Sequence, residues 1–549
     1  MSLLKWEFLF SPFLFGMFFP WTSAIISLFL VILLFLIQKR QGICHSRSPV
    51  LLMALSLEFF LLLGMIWGCD RGMALVGAVQ FLPIPLFVFA LEQFRVEQRT
   101  ELLRGMPYIA CLMVLLSLLL SCLISKEGWF LVSGRQAGFF QYPNTYALYL
   151  LCALAILLFD KKPVFGVVPW SAVLVIGILL SGSRTVFVLL FCLFLFYIFT
   201  ERNKTKRLKI MVFLGILTLG LALTIFLTGD RSSIGRFLTI SLSSSEILGR
   251  VLYARDAIPI IVIHPFGLGY MGYSWLQGSF QTGVYSVQHV HNDLLQLLLD
   301  VGWIPTGLLL WILIRFFLHS AGDFRRSMPA ALICLHSLMD FDTQFVAVAM
   351  LLFLAIDVEP KADIRVDKYR LSGLVLLCCA GISLWIGLAS WKCYLRDNKA
   401  AVRIYPGYTS VLAELLPKAP ADEMENLADR VLKLNPNASV ACDAKALAAY
   451  RRGELDQALQ YKERAIFLSK YNLSEYIDCF TILRQAYEEA LSAGEKEKAQ
   501  TYLSLLEQIP DRLKAVRDGT SALGWKIRDL PSFDFPQEYL IWLNEQRYT

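Results

Sequence analysis

The chain has 549 residues, of which 56% are hydrophobic, 13% aromatic and 17% charged, with a formal net charge of +7 and a mean hydropathy of +0.57. An average soluble domain carries about 25% charged residues, so an ordinary soluble protein is excluded. The basic residues lie in short clusters between apolar runs, which excludes a nucleic-acid surface and makes them a topology signal.

Residues 1–391 hold 50 charged side chains (29 Lys and Arg, 21 Asp and Glu), and the 158 residues of 392–549 hold 45. This contrast predicts a lipid-embedded domain over 1–391 and a water-soluble one over 392–549. The twelve cysteines are scattered, with no Cys-x-x-Cys pair, which argues against a disulfide scaffold or a thiolate zinc site.

In chain order, residues 3–37 form one long span or a tight pair broken near Pro20. The stretch is too long for a cleavable signal and lacks an Ala-x-Ala-like site, so insertion uses the first span itself. Apolar runs follow at 50–68, 72–91, 106–124, 144–159, 164–180, 185–200, 208–228, 297–318, 328–342, 343–358 and 371–391. Each is of the length that crosses a bilayer as a helix. The fold class predicted is an all-α polytopic membrane protein of 12 or 13 transmembrane helices, followed by a soluble helical domain.

Six basic clusters fall in every second connection: Lys39-Arg40 with Arg47, Arg95 to Arg104, Lys161-Lys162, Arg202 to Lys209, Arg325-Arg326, and Lys361 to Arg370. All six can be cytoplasmic at once. The remaining connections, among them the single long loop at 229–296 and everything after 391, then face outward.

The outward side nonetheless carries Arg184 in the turn Ser181-Gly182-Ser183-Arg184, and Arg231, Arg236, Arg250 and Arg255 in the long loop. Long loops translocate largely regardless of charge, which accounts equally well for Arg231 and Arg236. Arg184 sits between two apolar runs, where a guanidinium needs an anionic partner; its fork matches diphosphate oxygens.

His289-Val290-His291-Asn292-Asp293 stands directly before an apolar run. Asn292 or Asp293 can cap the following helix, which leaves both histidines to be explained. A histidine near its ordinary pKa suits a general base. A metal is the lesser reading of the His-x-His pair, because no carboxylate-rich motif accompanies it. His336 and Asp340, at the outer end of another span, rank behind these as a packing histidine and an aspartate that orients arginines.

Two features carry less. Gly267-Leu268-Gly269-Tyr270-Met271-Gly272 fits a dinucleotide fingerprint but opens no strand-helix unit with a following acidic residue, and reads as a backbone turn. Glu58 lies alone in mid-span, too isolated for a proton relay.

The ordered series Gly138-Phe139-Phe140-Gln141-Tyr142-Pro143-Asn144-Thr145-Tyr146-Ala147, Leu180 to Thr185, Gly249-Arg250, Ile263-His264-Pro265-Phe266-Gly267-Leu268-Gly269, and His291-Asn292-Asp293-Leu294-Leu295-Gln296 with Gly302 resembles the O-antigen ligase and polymerase superfamily of bacterial inner-membrane glycosyltransferases. The resemblance covers about residues 135–342. It implies transfer of a glycan from a polyprenyl (undecaprenyl) diphosphate carrier to a hydroxyl on the outer face of the cytoplasmic membrane, with inversion and with no metal or other cofactor.

By the same resemblance His291 is the base, and Arg184 and Arg250 hold the departing diphosphate. Arg255, Asn292, His289, Arg135 and Asn144 are the substrate-binding candidates. Arg255 is read as sharing the helical face of Arg250 or pairing with Asp256. The acceptor is left open between a lipid-core sugar, a growing glycan and a protein hydroxyl. A flippase for the same lipid is the alternative of a different class, and a non-catalytic anchor leaves Arg184 and His291 unexplained.

In the tail, Val431 to Asn437 recurs loosely as Ile466 to Asn472, an offset of 35, close to the roughly 34-residue tetratricopeptide period. Ala446, Ala448, Ala449, Gly453 and Ala458 fall where such repeats need small residues. Two or three degenerate repeats are predicted, offering a surface for the acceptor, a protein partner or cell-wall material, or serving only as a stabilising appendage.

Overall fold

The computed structural model describes all residues except 43, 46–47, 125–127, 162, 206, 209–210, 213–214, 216–243, 321, 358–363, 366–368 and 547–549. Arg231, Arg236 and most of the apolar run at 208–228 lie outside the described residues.

The chain is an all-α polytopic membrane protein. Among the described residues, five helices are long and apolar enough to cross a membrane: Pro20–Arg40, Pro49–Trp67, Ala74–Leu91, Val96–Ile124 and Gly373–Tyr394. Shorter apolar helices are Pro143–Phe159, Val167–Ser181, Arg184–Thr200, Trp303–His319 and Val346–Ile356. Among the described residues, strands are confined to two short antiparallel pairs, Cys44–His45 with Ile364–Arg365 and Leu131–Val132 with Arg135–Gln136.

At the N-terminus the run at 3–37 is interrupted before Pro20, and one helix of spanning length, not two, follows from it. Helix α1 (Ser2–Phe10) has nine residues, about 14 Å of rise, too short to cross. Two 3-10 turns separate it from α2 (Pro20–Gln41), the first helix of spanning length. There follow α3 (Pro49–Trp67), α4 (Ala74–Phe81), α5 (Pro83–Leu91) and α6 (Val96–Ile124).

Helix α7 (Pro143–Phe159) is the centre of the bundle. Its sequence is apolar all round, the signature of a helix with no solvent face, and nearly every residue from Pro143 to Leu158 is buried. It packs against α6, α8 (Val167–Ser181), α9 (Arg184–Thr200) and the later helix Phe324–His336. Its first turn therefore places Asn144 and Thr145 inside the bundle's end.

Two apolar runs depart from the sequence reading. The run at 297–318 is broken into α12 (Asp293–Val301) and α13 (Trp303–His319). Gly302 forms the break with φ +77°, and a Cβ there would fall onto the Pro265 carbonyl. The turn 264–269 is clasped here: the Leu268 amide donates to Leu299 O at 2.6 Å, and the Trp303 amide to Pro265 O at 3.0 Å. The glycine-rich run is thus a backbone clasp, as expected. The run at 328–342 becomes α14 (Phe324–His336), and residues 337–345 form an irregular turn before α15 (Val346–Ile356).

The long connection contains two helices, α10 (Ser245–Ile263) and α11 (Gly272–Phe280). After α16 (Tyr369–Tyr394), the tail runs through α17 (Asn398–Ile404), α18 (Thr409–Leu415), α19 (Ala421–Leu434), α20 (Ser439–Arg451), α21 (Leu455–Leu468), α22 (Leu473–Ser492), α23 (Lys496–Asp518) and α24 (Gln537–Gln546). Chain neighbours among α19 to α23 pack on one another, with Ala428, Ala441, Ala449, Ala458 and Ala465 buried between them.

Candidate active site

Arg184 opens α9, Asn144 opens α7, and the 337–345 turn follows α14, so these three elements meet at one end of the bundle. The loop helix α10 and the turn before α12 close over that end and deliver Arg250 and His291.

Asp340 is the hub. Its side chain is 1% exposed, yet it collects five donors. Asn144 donates Nδ2 to Oδ2 at 2.8 Å, the Tyr142 hydroxyl reaches Oδ1 at 2.9 Å and the Phe341 amide Oδ1 at 3.1 Å. Arg250 Nη2 stands 3.3 Å from Oδ2, and His291 Nδ1 is 3.2 Å from Oδ1. Burial pushes the Asp340 carboxyl upward, but the His291 hydrogen bond and the Arg250 charge together hold it well below the usual carboxylate range. The same carboxylate raises the Tyr142 phenol, after burial itself, so Tyr142 remains a neutral donor.

His291 has φ +54°, in the left-handed region, which costs a non-glycine residue about 1–2 kcal/mol. The twist aims Nδ1 at Asp340 and stacks the ring edge-on to Phe341 at 4.9 Å. With Nδ1–H donated to the carboxylate, Nε2 carries the lone pair. Among the described residues Nε2 has no hydrogen-bond partner, and the side chain is 22% exposed.

A second chain of contacts ties in Arg184. Arg135 donates Nη2 to Asn144 Oδ1 at 2.6 Å and Nε to Ser181 O at 2.7 Å, which fixes the Ser181–Arg184 turn to the Asp340 network. Arg184 Nη1 lies 3.8 Å from Glu246 Oε2, and Glu246 precedes Arg250 by four residues on α10, one turn along the same face. Both arginines are thus held beside one helix, with their side chains 25% and 19% exposed.

Of the residues read from sequence, His291, Arg184, Arg250, Arg135, Asn144 and Asp340 come together. Asn292 serves as the helix cap: its Oδ1 accepts from the Leu295 amide at 2.9 Å, and its Nδ2 donates to Leu338 O at 2.9 Å. Its role is to join the histidine turn to the aspartate turn. Three candidates lie elsewhere. His289 is 6% exposed, packed against Phe341 at 5.0 Å and Phe18 at 6.3 Å, and burial lowers its pKa to about 3. It is a neutral packing ring.

His336 Nδ1 bonds Asp342 Oδ2 at 2.6 Å, and Thr145 Oγ1 donates to Asp342 Oδ1 at 2.7 Å; this buried knot locks α14 to α7. Arg255 is exposed. Five residues separate it from Arg250, about 140° around a helix, so the shared face read from sequence is not found. Asp256 instead bonds the Thr282 amide and hydroxyl, both at 2.8 Å, and the Tyr285 hydroxyl at 3.1 Å.

Sequence reasoning passed over Tyr142, although it stands two residues before Asn144 in the same motif; its phenol accepts from Asn144 Nδ2 at 3.4 Å but donates to a residue 198 positions away, which only the fold brings near. Among the described residues one group of three carboxylates stands close enough to share an ion, Asp443, Glu475 and Asp478. The Lys462 ammonium fills it, 2.7 Å from Glu475 and 3.1 Å from Asp478, with Asp443 as third partner.

No curated protein and no solved structure matches the chain. Residues 170–312 match the family model described as O-antigen ligase. The matched stretch runs from α8 into α13 and contains the Arg184 turn, Arg250, the Gly302 clasp and His291, so the part of the chain that carries these residues is similar to that family.

Proposed function

We propose that the protein transfers a glycan from undecaprenyl diphosphate to an acceptor hydroxyl at the outer face of the cytoplasmic membrane, with His291 as general base. The observation that carries this reading is the Asp340–His291 pair: a buried carboxylate on Nδ1, an Nε2 with no hydrogen-bond partner among the described residues, and two arginines close by, Arg184 at the start of α9 and Arg250 on α10.

The acceptor hydroxyl gives its proton to His291 Nε2 as its oxygen attacks the anomeric carbon. The bond from that carbon to the diphosphate breaks on the opposite side, which inverts the centre. Negative charge grows on the leaving diphosphate, where Arg184 and Arg250 stabilise it. Fixed guanidinium groups supply the charge a metal ion would otherwise bring, so the reaction is proposed to be metal-independent. Asp340 stabilises the imidazolium that forms, as the aspartate does in other histidine-base sites.

An apolar cavity of about 180 Å³ lies behind the histidine turn, lined by Leu57, Leu61, Leu297, Val301, Leu309 and Asp293. The alternation of basic clusters supports an outward active site and an outward tail, and the alanine-lined helix pairs of the tail support a tetratricopeptide-like domain. The same chemistry serves a ligase, a polysaccharide polymerase or a protein O-oligosaccharyltransferase.

The test is reconstitution of purified protein in chelator-treated buffer with polyprenyl-diphosphate glycan from its host. Wild type releases polyprenyl diphosphate and yields a glycosylated product whose mass names the acceptor; His291→Ala and Arg184→Ala abolish release while inserting normally. Wild-type release by both variants sinks the mechanism, and carrier crossing the bilayer without release supports a flippase.

A further inference from the structure

The tail is seated at three places, one on the α3–α4 turn and two on the loop that carries the site. The Arg71 amide donates to Leu434 O at 3.0 Å and the Tyr405 hydroxyl to Gly72 O at 2.7 Å, joining α17 and α19 to the α3–α4 turn. Lys470 Nζ reaches Ser279 O at 3.1 Å at the end of α11. The third contact is the closest to the site.

There the segment after α23 crosses the connection from α11 to His291. The Ser521 amide and hydroxyl both donate to Thr282 O, at 2.9 and 3.1 Å. The two backbones then touch: a Cβ on Gly283 would lie 2.6 Å from Gly524 Cα, and one on Gly524 would fall onto the Thr282 carbonyl. Ile527 completes the seam by packing with Leu252 of α10 and Tyr285, while Tyr253 and Val287 flank it.

This seam leads directly to the reacting groups. Thr282 holds Asp256 of α10 through both amide and hydroxyl. Tyr253, three residues after Arg250, stacks on Tyr285 at 4.5 Å and faces the His291 ring at 6.1 Å. A strap anchored at Thr282 therefore sets the rotation of α10, which carries Arg250, and the path of the chain entering His291.

We propose that the segment 520–527 is a positioning strap, which through Ser521, Gly524 and Ile527 holds Arg250 and His291 in register for the diphosphate-bearing donor. This inference rests on the donor reading given above. It assigns the tail a role inside the transfer site, one fulfilled by backbone contact and not by binding a separate partner.

The probe is undecaprenyl diphosphate alone, with its affinity for the full-length protein in nanodiscs measured for each variant. Gly524→Ala and Ser521→Ala are expected to weaken binding about tenfold or more, since small misplacement of a clamp is costly, while Ser521→Thr, which keeps the hydroxyl, restores it. Leu543→Ala, which loosens the far end of the tail core without touching the seam, leaves affinity within about twofold. Unchanged affinity in Gly524→Ala and Ser521→Ala, with Arg250→Ala still impaired, overturns the strap. A failure of wild type itself to bind undecaprenyl diphosphate overturns the donor reading instead. Equal losses in Ser521→Thr and Leu543→Ala show a merely structural tail and also overturn the strap.

Discussion

Two arginine–aspartate clusters at opposite ends of the bundle, Arg99 with Asp357 and Arg250 with Asp340, differ in kind. At one end Arg99 Nη1 pairs with Asp357 at 2.8 Å, with side chains 7% and 1% exposed. Arg99 Nε also donates to Phe94 O, and Arg326 donates to the Ala355 and Asp357 carbonyls. The Arg99 and Arg326 guanidinium groups are enclosed and spent on the protein. At the other end, α14 having risen about 20 Å over its 13 residues, the carboxylate of Asp340 is just as buried, but its cationic partners Arg250 and His291 are 19% and 22% exposed. A buried anion whose accessible partners include a histidine, with a second accessible arginine, Arg184, held beside the same helix, leaves this cluster able to receive an anion.

The largest expected effect on transfer tests that contrast at its hub. Asp340→Asn keeps the shape but accepts from only one of Tyr142 and Asn144, which bond different oxygens of the carboxylate, and it removes the negative charge that faces His291 Nδ1. Transfer is expected to fall about 10²- to 10⁴-fold, with membrane insertion unchanged, measured as glycan product formed per mole of inserted enzyme. A variant within threefold of wild type would show that His291 needs no partner.

At the enclosed end the consequence is reversed. Arg99→Ala strands the buried Asp357 carboxylate, and breaking such a pair costs about 3–5 kcal/mol. Thermal unfolding in detergent is expected to move down sharply, while transfer per folded molecule stays near wild type. A loss of transfer with an unmoved melting temperature would place function at the wrong end.

His289 sharpens the comparison within one motif. Its folded pKa is lowered to about 3, whereas an unfolded imidazole titrates near 6.5. Between those values only the unfolded chain binds the proton, so stability falls with acidification. From pH 7 to pH 5 the loss reaches about 2 kcal/mol. His289→Phe keeps the stacking against Phe18 and Phe341 and removes this component, so its melting temperature should fall less than wild type's over that range, with transfer at pH 7 retained. Equal acid sensitivity in both proteins would assign the effect elsewhere.

The legibility of these features follows their range in sequence. Apolar runs and basic clusters are local, and so were the spans, Arg184 and the histidine turn. The break at Gly302 was missed because a glycine inside a leucine-rich run looks tolerated until its carbonyl neighbour, Pro265, is known. Asp340 was ranked behind the arginines because its partners Asn144, Arg250 and His291 are 196, 90 and 49 residues away. Tail docking was invisible for the same reason: Asn435 meets Asp70 across 365 residues. Helical periodicity marks which face is apolar, and it does not say which helix end a polar side chain will meet.

The smallest expected effect is the most discriminating about α10 itself. Arg250 and Arg255 share a helix, a charge and a loop, and composition treats them alike. Geometry separates them: Arg250 turns inward to Asp340, while Arg255 is exposed and its neighbour Asp256 is already satisfied by Thr282 and Tyr285. Arg255→Ala is therefore expected to leave transfer within about twofold and stability within about 0.5 kcal/mol, measured beside Arg250→Ala under the same donor. If Arg255→Ala were as damaging as Arg250→Ala, the outer face of α10 would have to contact substrate, and the diphosphate would extend around the helix instead of lying between α9 and the histidine turn.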